Sequence, residues 1–434
     1  MHVVVLGGGS TGEHFVGALR RFDAESRVTV IERRLVGGEC SYWACMPTKT
    51  MLRAPELLAA AARSDGAIVA AQLDREAVWR WRDEVAEQDD SSQVEWLESQ
   101  DAGLVRGDAE VVAPGTVRVG GVELPYDRLV IATGSSPFVP PIEGLAEADY
   151  WTNIGATEAH EAPARLVVLG GGPVGCELAQ FFRRMGSEVA LVEGGSRLLA
   201  RIDADAAACV ETGLREDGID VRLGVAAASV GGGAVHLADG AELPYDRILV
   251  ATGRRPNVDG LESLGLEISH RGIEVDERMR AAENVWAIGD VTGIAPFTHV
   301  GKYHARVAAA DICGRPARAD HRAVPATIFT DPQVAVVGDT EGGLASTWPL
   351  SSVPRLSTYE RPKRDGFIKV VADAERRVLT GAVAVGPEAG EWLQQLTLAI
   401  RAETPVDVLL DVIQPYPTFS EGVFLALREL NLDI

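Results

Sequence analysis

HVVVLGGGSTG, residues 2–12, is the stretch from which the fold of this chain can be read. An apolar strand runs into glycines at 7, 9 and 12, and a helical segment then leads to a second strand, RVTVIE, that ends at Glu32. Glycine permits the tight turn and lets the backbone approach a pyrophosphate at the start of the helix. An acid at the end of the second strand can accept hydrogen bonds from ribose hydroxyls. Gly7, Gly9, Gly12 and Glu32 therefore predict a dinucleotide site.

The same pattern returns in RLVVLGGGPVG, residues 165–175. Its glycines are Gly170, Gly172 and Gly175, and the following strand, EVALVE, ends at Glu193. Two copies predict two bound dinucleotides. An acid at Glu193 would repel a 2′-phosphate and so favours NADH, although Arg197 close by leaves NADPH open as the alternative.

A further repeat pairs LPYDRLVIATG at 124–134 with LPYDRILVATG at 243–253, so two similar units close with the same strand and turn. Helical insertions are predicted at about 54–71 and about 75–100. The pattern predicts an α/β protein with two Rossmann-like domains and a C-terminal α+β domain. The predicted bounds are 1–145 with 258–320 for the first nucleotide domain, 146–257 for the second, and 321–434 for the C-terminal domain.

Composition narrows the class of protein. The 434 residues carry a formal charge of −22, which makes nucleic acid an unfavourable partner. There is no apolar run of membrane-spanning length, and the first residues lack the basic region and cleavage site of a signal peptide. Five cysteines with one close pair argue against a secreted disulfide framework. We therefore expect a cytoplasmic protein without a membrane span.

The close pair, Cys40 and Cys45, lies in GGECSYWACMPTK, residues 37–49. At the start of a helix, two thiols at this spacing are predicted to lie one above the other, where they can form or open a disulfide. The helix N-terminus would favour the thiolate. A zinc site would need two more ligands, and the other three cysteines are isolated. The sequence predicts a redox-active pair and no metal site.

GGECSYWACMPTK resembles the GGxCxxxxCxPxK signature of the flavoprotein disulfide reductases, the family of dihydrolipoamide dehydrogenase, glutathione reductase and mercuric reductase. The resemblance includes both glycine motifs, both ATG turns, AIGD at 287–290 and FTDPQVAVVG at 329–338, and so covers essentially the whole chain. It implies that the first nucleotide domain holds FAD and the second NAD(P)H. Further cofactor contacts that it implies are Gly38, Thr133, Gly134, Gly253, Gly289, Asp290, Thr298 and His299.

The resemblance also implies chemical roles. Cys45 would be the thiol beside the flavin, and Cys40 the interchange thiol that meets substrate. Lys49 would lie near the flavin, paired with Glu177 from the helix of the second nucleotide domain. Electrons would pass from NAD(P)H through FAD to the Cys40–Cys45 disulfide and on to a small-molecule disulfide, or in reverse. The C-terminal region would form the interface of a homodimer whose active sites are shared between subunits.

One position departs from the family pattern. The family usually carries His-Pro-Thr-x-x-Glu, whose histidine and glutamate act as acid and base, whereas this chain reads YPTFSE, with Tyr416 in place of the histidine and Glu421 retained. A phenol with a pKa of about 10 transfers protons poorly at neutral pH, and an imidazole with a pKa of about 6.5 does so well. Tyr416 either takes part in catalysis or packs at the interface.

Alternative functions remain open at this point. Mercuric reductase is similar in having tyrosine at this position, but it delivers metal through a C-terminal cysteine pair, and this chain ends in ELNLDI, so metal-ion reduction is less favoured. The missing histidine favours a second hypothesis, direct reduction of quinones or other acceptors by the flavin. A redox-sensing flavoprotein with little turnover is a third.

Overall fold

The structure is a computed structural model that describes residues 1–64, 70–360 and 364–432. The α-helices within these residues are α1 (Ser10–Arg20), α2 (Gly38–Tyr42), α3 (Cys45–Ala62), α4 (Arg75–Val85), α5 (Ser91–Ser99), α6 (Asn153–Glu158), α7 (Pro173–Arg184), α8 (Ala204–Glu216), α9 (Thr298–Ile312), α10 (Pro354–Ser357), α11 (Ala389–Trp392), α12 (Gln394–Ala402), α13 (Val406–Asp411) and α14 (Ser420–Arg428).

Strands alternate with these helices along the chain. They are β1 (His2–Leu6), β2 (Arg27–Glu32), β3 (Ala102–Arg106), β4 (Ala109–Ala113), β5 (Thr116–Val119), β6 (Val122–Pro125), β7 (Arg128–Ile131), β8 (Ser135–Pro137), β9 (Tyr150–Trp151), β10 (Arg165–Leu169), β11 (Glu188–Glu193), β12 (Asp220–Leu223), β13 (Ala227–Gly231), β14 (Ala234–Leu237), β15 (Glu242–Pro244), β16 (Arg247–Val250), β17 (Arg254–Pro256), β18 (Arg280–Ala282), β19 (Val285–Ala287), β20 (Pro325–Ile328), β21 (Gln333–Gly338), β22 (Leu344–Pro349), β23 (Phe367–Asp373) and β24 (Val378–Gly386).

The chain divides into two units. The first comprises Met1–Pro47, Asp83–Phe138 and Gly253–Asp320. Its main sheet has the order β18-β19-β7-β1-β2-β3, with β1 parallel to both β2 and β7, and a small antiparallel sheet is formed by β4, β5 and β6. Because the parallel strands β1 and β2 end at the same edge, the glycine turn after β1 and the acid that ends β2 come together there.

Strand β1 is buried on both faces, as its run of apolar residues predicts for a parallel sheet. Val3 and Val5 belong to a core shared with helices α1 and α9, while Val4 and Leu6 belong to the core on the opposite face. Alternate side chains of a strand point to opposite faces, so one short segment contributes to both layers. This packing fixes the end of β1 and therefore the position of the glycine turn.

The second unit comprises Thr48–Arg82, Val139–Thr252 and His321–Ile434, of which 65–69, 361–363 and the last two residues lie outside the described part. It contains a parallel sheet, β12-β11-β10-β16-β9, with a small antiparallel sheet of β13, β14 and β15. Its C-terminal part is an antiparallel sheet of order β20-β21-β24-β23-β22 packed with helices. The predicted fold class is confirmed, and the bounds of three domains stay a prediction.

The two helical insertions differ in detail from the prediction. In place of a helix at about 54–71, α3 ends at Ala62, and 65–69 lie outside the described residues. The helix predicted at about 75–100 is two helices, α4 and α5, with a break that ends at Asp90. The Asp90 carboxylate accepts the backbone N–H of Val36 (2.6 Å) and an Arg106 guanidinium N–H, which fixes it at the break.

No helix in residues 1–64, 70–360 and 364–432 combines the length and the apolar character needed to cross a bilayer.

Candidate active site

The first glycine turn leaves no room for a side chain at two of its three motif glycines. Gly7 has φ +102°, and a Cβ added there would lie 2.3 Å from the carbonyl oxygen of Ala132. A Cβ on Gly12 would lie 2.1 Å from the carbonyl oxygen of Gly7. Gly9 immediately precedes α1. Gly7 and Gly12 are therefore needed for the turn and for the close approach of α1 to the strand end.

Glu32 lies beside this turn, as predicted. Its Oε2 accepts the backbone N–H of Gly8 (2.8 Å), and its Oε1 accepts that of Arg34 (2.7 Å). Two backbone donors hold the carboxylate in one orientation at the end of β2. Each oxygen keeps a second lone pair, which can accept a ribose hydroxyl.

The segment that leads to the cysteines is joined to the glycine turn by backbone hydrogen bonds. Gly37 N–H donates to Gly8 O (2.8 Å), and Ser10 N–H donates to Gly37 O (3.1 Å). A Cβ on Gly38, which has φ +64°, would lie 2.8 Å from the Cα of Gly9. Glycine at this position therefore lets the cysteine segment lie directly against the predicted pyrophosphate site.

Cys40 and Cys45 lie on different helices, so the expectation that they lie one above the other on a single helix is wrong. Cys40 belongs to α2, and Cys45 is the first residue of α3. Between them Trp43 takes φ −137° and is 7% exposed. The two sulfurs nevertheless meet, because the Cys40 thiol is hydrogen-bonded to Cys45.

The sulfur pair lies at the start of α9. Cys45 Sγ is 3.3 Å from the Oγ1 of Thr298, the first residue of that 15-residue helix. The hydrogen bond with Cys45 and then burial raise the pKa of the Cys40 thiol, while Thr298 and Lys302 act in the opposite direction. The N-terminus of α9 would stabilise a thiolate formed on either sulfur of the pair.

The first ATG turn is held by a residue that sequence reasoning missed. Thr133 Oγ1 donates to Asn257 O (2.6 Å), and Asn257 Nδ2 donates to Thr133 O (2.9 Å). The Asn257 N–H donates to Gly134 O (3.0 Å). Gly134 has φ +70° and is open, with nothing within 4 Å of an added Cβ. The only sequence signal for Asn257 is its place shortly after the second ATG turn.

A chain of polar contacts connects the predicted residue Asp290 to the cysteine helix. Ser135 Oγ donates to Asp290 Oδ2 (2.8 Å), and Arg254 Nε donates to Ser135 Oγ (2.8 Å). Arg254 Nη2 donates to Glu39 Oε2 (2.7 Å), next to Cys40. Sequence reasoning also missed these partners, because no motif spacing joins them.

Of the remaining predicted residues of the first unit, Gly289 contacts α9 and His299 belongs to it. Gly289 has φ +78°, and its N–H donates to His304 Nδ1 (3.2 Å). The ring of His299 stacks on Phe297, with centroids 5.3 Å apart. Gly253 has φ +121° and nothing within 4 Å of an added Cβ.

The second glycine turn, in the second unit, repeats the first. A Cβ on Gly170 (φ +108°) would lie 2.4 Å from Ala251 O, and one on Gly175 would lie 1.9 Å from Gly170 O. Gly172 has nothing within 4 Å of an added Cβ, which leaves the backbone accessible. Glu193 ends β11 and accepts the backbone N–H of Gly171 (2.7 Å). The arrangement matches the predicted second dinucleotide site.

Arg197 points into its own loop. Its Nη1 donates to the carbonyl oxygens of Leu199 (3.2 Å) and Ile202 (2.7 Å), and its Nη2 donates to Ala200 O (2.7 Å). A guanidinium used in this way stabilises the loop backbone.

Lys49 and Glu177 form an ion pair in the second unit, with Nζ 2.8 Å from Oε2. Glu177 is 5% exposed, and its Oε1 accepts the backbone N–H of Phe329 (2.9 Å). The ammonium also lies 4.9 Å from the centroid of the Phe329 ring. Both carboxylate oxygens are therefore engaged, which fixes the position of the Lys49 ammonium.

We expect Glu177→Gln to slow reduction of the holoenzyme by NADH about 10- to 100-fold, because the amide keeps an acceptor for Phe329 but no longer holds the Lys49 ammonium in place. Stopped-flow absorbance of the flavin under anaerobic conditions measures this rate. Glu188→Gln, at an exposed carboxylate that begins β11, is the matched control. An unchanged rate in a folded Glu177→Gln enzyme would contradict the role of the pair.

Tyr416 and Glu421 lie in the C-terminal part. Tyr416 is 72% exposed, and Ile413, three residues earlier in the chain, is 94% exposed. Glu421 Oε2 is buried and has no hydrogen-bond partner among the described residues. Exposed large apolar side chains such as these are typical of a face that another molecule covers, and a buried carboxylate oxygen without a partner is uncommon in a folded protein.

The residues present fit the two dinucleotides. Each glycine turn places a glycine immediately before a helix, and each has a carboxylate fixed by backbone N–H groups at the end of the next strand. By contrast, no group of three or more His, Cys, Asp or Glu side chains in the described part of the chain could hold a metal ion.

Comparisons with known proteins identify the family of this chain. A family model described as pyridine nucleotide-disulphide oxidoreductase matches residues 1–311, and the dimerisation domain of the same family matches residues 324–426. A mercuric reductase from Acidithiobacillus ferrooxidans is 35% identical over 460 residues, covering 100% of this chain and 83% of that protein. A dihydrolipoyl dehydrogenase from Thermus scotoductus is 34% identical over 454 residues, covering 99% and 97%. The crystal structure of LpdA from Mycobacterium tuberculosis gives a TM-score of 0.89 at 26% identity, covering 99% of each chain.

The fold and the site together define an oxidoreductase that uses FAD and a pyridine nucleotide. The chain belongs to the pyridine nucleotide-disulphide oxidoreductase family. It is an NAD(P)H-dependent flavoprotein of the disulfide reductase type, and its dimerisation domain indicates a homodimer.

Proposed function

We propose that this enzyme uses NADH to reduce a small-molecule disulfide by way of Cys40 and Cys45. The observation that supports this most directly is the hydrogen-bonded sulfur pair at the start of α9. FAD, when bound, accepts a hydride from the nicotinamide and delivers an electron pair to a disulfide. The physiological direction could also be the reverse, with a dithiol as the reductant.

The thiol exchange takes place in two steps. In the reduced pair, the Cys40 thiolate attacks one sulfur of the substrate disulfide, and the first substrate thiol leaves with a proton taken from solvent. The Cys45 thiolate then attacks the Cys40 sulfur, and the second substrate thiol leaves, also protonated. Two electrons and two protons pass to the substrate, and the Cys40–Cys45 disulfide forms again.

Residue roles follow from this proposal. Cys40 and Cys45 carry the exchange, and Lys49 with Glu177 forms a supporting ion pair. We infer that FAD is held by Gly7, Gly9, Gly12, Glu32, Gly38, Thr133, Gly134, Gly289, Asp290, Thr298 and His299. We infer that NADH is held by Gly170, Gly172, Gly175, Glu193 and Gly253. NADH and reduced thiols are both available in the cytoplasm, where we place the enzyme.

The preference for NADH is inferred from Glu193 and Arg197. Glu193 would repel a 2′-phosphate, while the Arg197 guanidinium is engaged with its own loop. We expect Glu193→Gln to lower the ratio of kcat/KM for NADH to that for NADPH by about tenfold, since it removes one charge near that phosphate. Steady-state kinetics with both nucleotides measure the ratio. If Arg197→Met changes the ratio and Glu193→Gln does not, the assignment of these two side chains is wrong.

We infer further that Tyr416 and Glu421 complete the active site of the second subunit. The exposure of Tyr416 and the buried Glu421 oxygen without a partner among the described residues support this. Mixed dimers of Cys40→Ser and Glu421→Ala subunits test it, provided that each homodimer has lost activity. A shared site would regain about half of the wild-type activity, because one of the two sites is then intact. No recovery would show that the residues act within one subunit.

An acceptor screen tests the proposed function as a whole. The holoenzyme is titrated anaerobically with NADH and then assayed with lipoamide, low-molecular-weight disulfides, quinones and metal ions, using NADH and NADPH side by side. We expect a long-wavelength thiolate–flavin absorbance band in the titration and turnover with a disulfide. Absence of the band together with absence of disulfide turnover would overturn the proposal.

A second candidate is direct reduction of quinones or other acceptors by the flavin. Tyrosine at position 416, where the family usually has a histidine acid, favours it. Quinone turnover that survives loss of both thiols would support this candidate over the first.

A further inference from the structure

Lysine is rare in this chain. Four of the 41 basic residues are lysines, at positions 49, 302, 363 and 369. Lys49 pairs with Glu177 and Lys369 with Asp203 (2.7 Å), while position 363 lies outside the described residues. Lys302 remains, and it lies on α9 one turn after Thr298. Of the lysines that the structure describes, Lys302 is therefore the one to consider next.

Lys302 lies on the face of α9 that meets the sulfur pair. Thr298, Gly301 and Lys302 share one face, because residues three and four apart are neighbours on a helix. At one end of this face, Thr298 Oγ1 is 3.3 Å from Cys45 Sγ. Gly301 packs on α1, since a Cβ there would lie 2.1 Å from Thr11 Oγ1. The partly buried Lys302 is thus placed near both the thiols and the first turn of α1.

Glu13 lies on that first turn and interacts with Lys302. Burial raises the pKa of Glu13 to about 7, Lys302 opposes the rise, and Asp90 adds to it. The neighbouring His14 has a lowered pKa, owing first to burial and then to Lys302, with Arg306 of α9 acting in the same direction.

The Lys302 ammonium also acts electrostatically on Cys40. The charge of Lys302 lowers the pKa of the Cys40 thiol against the effects of Cys45 and burial. Glu39, adjacent to Cys40, is paired with Arg254 (2.7 Å), so its charge is largely compensated.

We propose that Lys302 is a positioning residue for the thiol exchange, whose ammonium stabilises the Cys40 thiolate, and that Glu13 sets how much of that charge is available to Cys40. The proposal rests on the function proposed above, in which Cys40 is the interchange thiol. When Glu13 is neutral, Lys302 acts fully on Cys40, and when Glu13 is ionised the two charges compensate each other. Stabilisation within one subunit would make the reactive thiol less dependent on a histidine at position 416.

The test is the alkylation rate of Cys40 as a function of pH. The holoenzyme is reduced with a phosphine, so that the measurement requires neither NADH nor turnover, and is then treated with iodoacetamide. Chymotryptic cleavage after Tyr42 or Trp43 separates the two cysteines, and mass spectrometry follows the Cys40 peptide. We expect Lys302→Met to slow alkylation near neutral pH about tenfold, which corresponds to a rise of about one unit in the thiol pKa.

Three variants make the test specific. Lys302→Arg keeps the charge and should restore alkylation, and Arg306→Met, at an exposed position of the same helix, should leave it unchanged. Glu13→Gln should speed alkylation at pH values above the Glu13 pKa of about 7 and change little below it. Wild-type pH dependence in Lys302→Met, or in Glu13→Gln if the first variant does not fold, would overturn the proposal. A shifted dependence in an enzyme that reduces no disulfide would overturn the proposed function and leave Lys302 in its role.

Discussion

Cys40→Ser is expected to lower NADH-driven disulfide reduction by on the order of a thousandfold or more, the largest effect on activity that we anticipate for any single substitution, because it removes a nucleophile that acts as one unit with its partner. A serine hydroxyl remains protonated at neutral pH and cannot form a mixed disulfide with substrate. The helix start at Thr298 and the charge of Lys302 favour a thiolate and give a hydroxyl no comparable reactivity. Steady-state turnover of the holoenzyme with NADH and the preferred disulfide measures the loss.

Two further variants separate chemistry from folding. Cys313→Ser changes a partly buried cysteine at the end of α9 and should leave turnover intact. Cys45→Ser should also stop turnover, but with Cys40 still able to bind substrate as a mixed disulfide that mass spectrometry detects. Full disulfide turnover in a folded Cys40→Ser enzyme would show that the sulfur pair is not the route of the electrons.

The glycine turns could be predicted from sequence because local sterics decide them. At Gly7 and Gly170 the positive φ and the nearby carbonyl oxygen leave no room for a side chain. A glycine in the sequence therefore indicates the backbone conformation of the turn directly. The acids Glu32 and Glu193 follow at the spacing that a strand, turn, helix and strand impose. The family signature around the two cysteines then supplied the remaining roles.

The helix around the cysteines could not be predicted in the same way. Cys40 and Cys45 are five residues apart, whereas residues three or four apart lie one above the other on a helix. The break between α2 and α3 lies at the buried Trp43. Likewise, α4 and α5 separate near Asp90. Its carboxylate accepts a hydrogen bond from the backbone N–H of Val36, which lies 54 residues earlier in the chain. Local patterns carry no information about such distant partners.

The residues that sequence reasoning missed have distant partners as well. Asn257 holds Thr133 across 124 residues, and Arg254 holds Glu39 across 215. The role proposed for Lys302 depends on the position of α9 against α1, which no spacing rule predicts. Long-range polar contacts of this kind are the part of a site that requires a structure.

A buried cluster of arginines around Asp331 is one such contact set, and it supports the segment that holds Glu177. Asp331 is 7% exposed and accepts hydrogen bonds from Arg63 (3.0 Å), Arg184 (2.7 Å) and Arg364. Its backbone N–H donates to Gln180 Oε1 (2.7 Å) on α7. Because Glu177, Gln180 and Arg184 share one face of α7, the cluster and the Lys49 pair are parts of one packed arrangement.

Asp331→Asn is expected to lower the free energy of unfolding by about 2–3 kcal/mol, because three guanidinium groups lose one of their carboxylate partners and keep only Glu360 or Asp217. The midpoint of urea unfolding near neutral pH, followed by circular dichroism, measures the change. Asp407→Asn, at an exposed carboxylate on α13, is the control and should change stability by less than about 0.5 kcal/mol.

The dependence on pH provides an independent check of the same cluster. Burial alone would raise the pKa of Asp331, but Arg364, Arg184 and Arg63 outweigh it and lower the pKa to about 2. In the unfolded chain an aspartate has a pKa of about 3.9, so the ionised form stabilises the fold fully above about pH 4, and this stabilisation is lost as the pH falls towards 2. The difference in stability between wild type and Asp331→Asn should therefore shrink by about 2–3 kcal/mol over that interval. A difference that stays constant down to the acid limit would mean that the carboxylate charge does not stabilise this cluster.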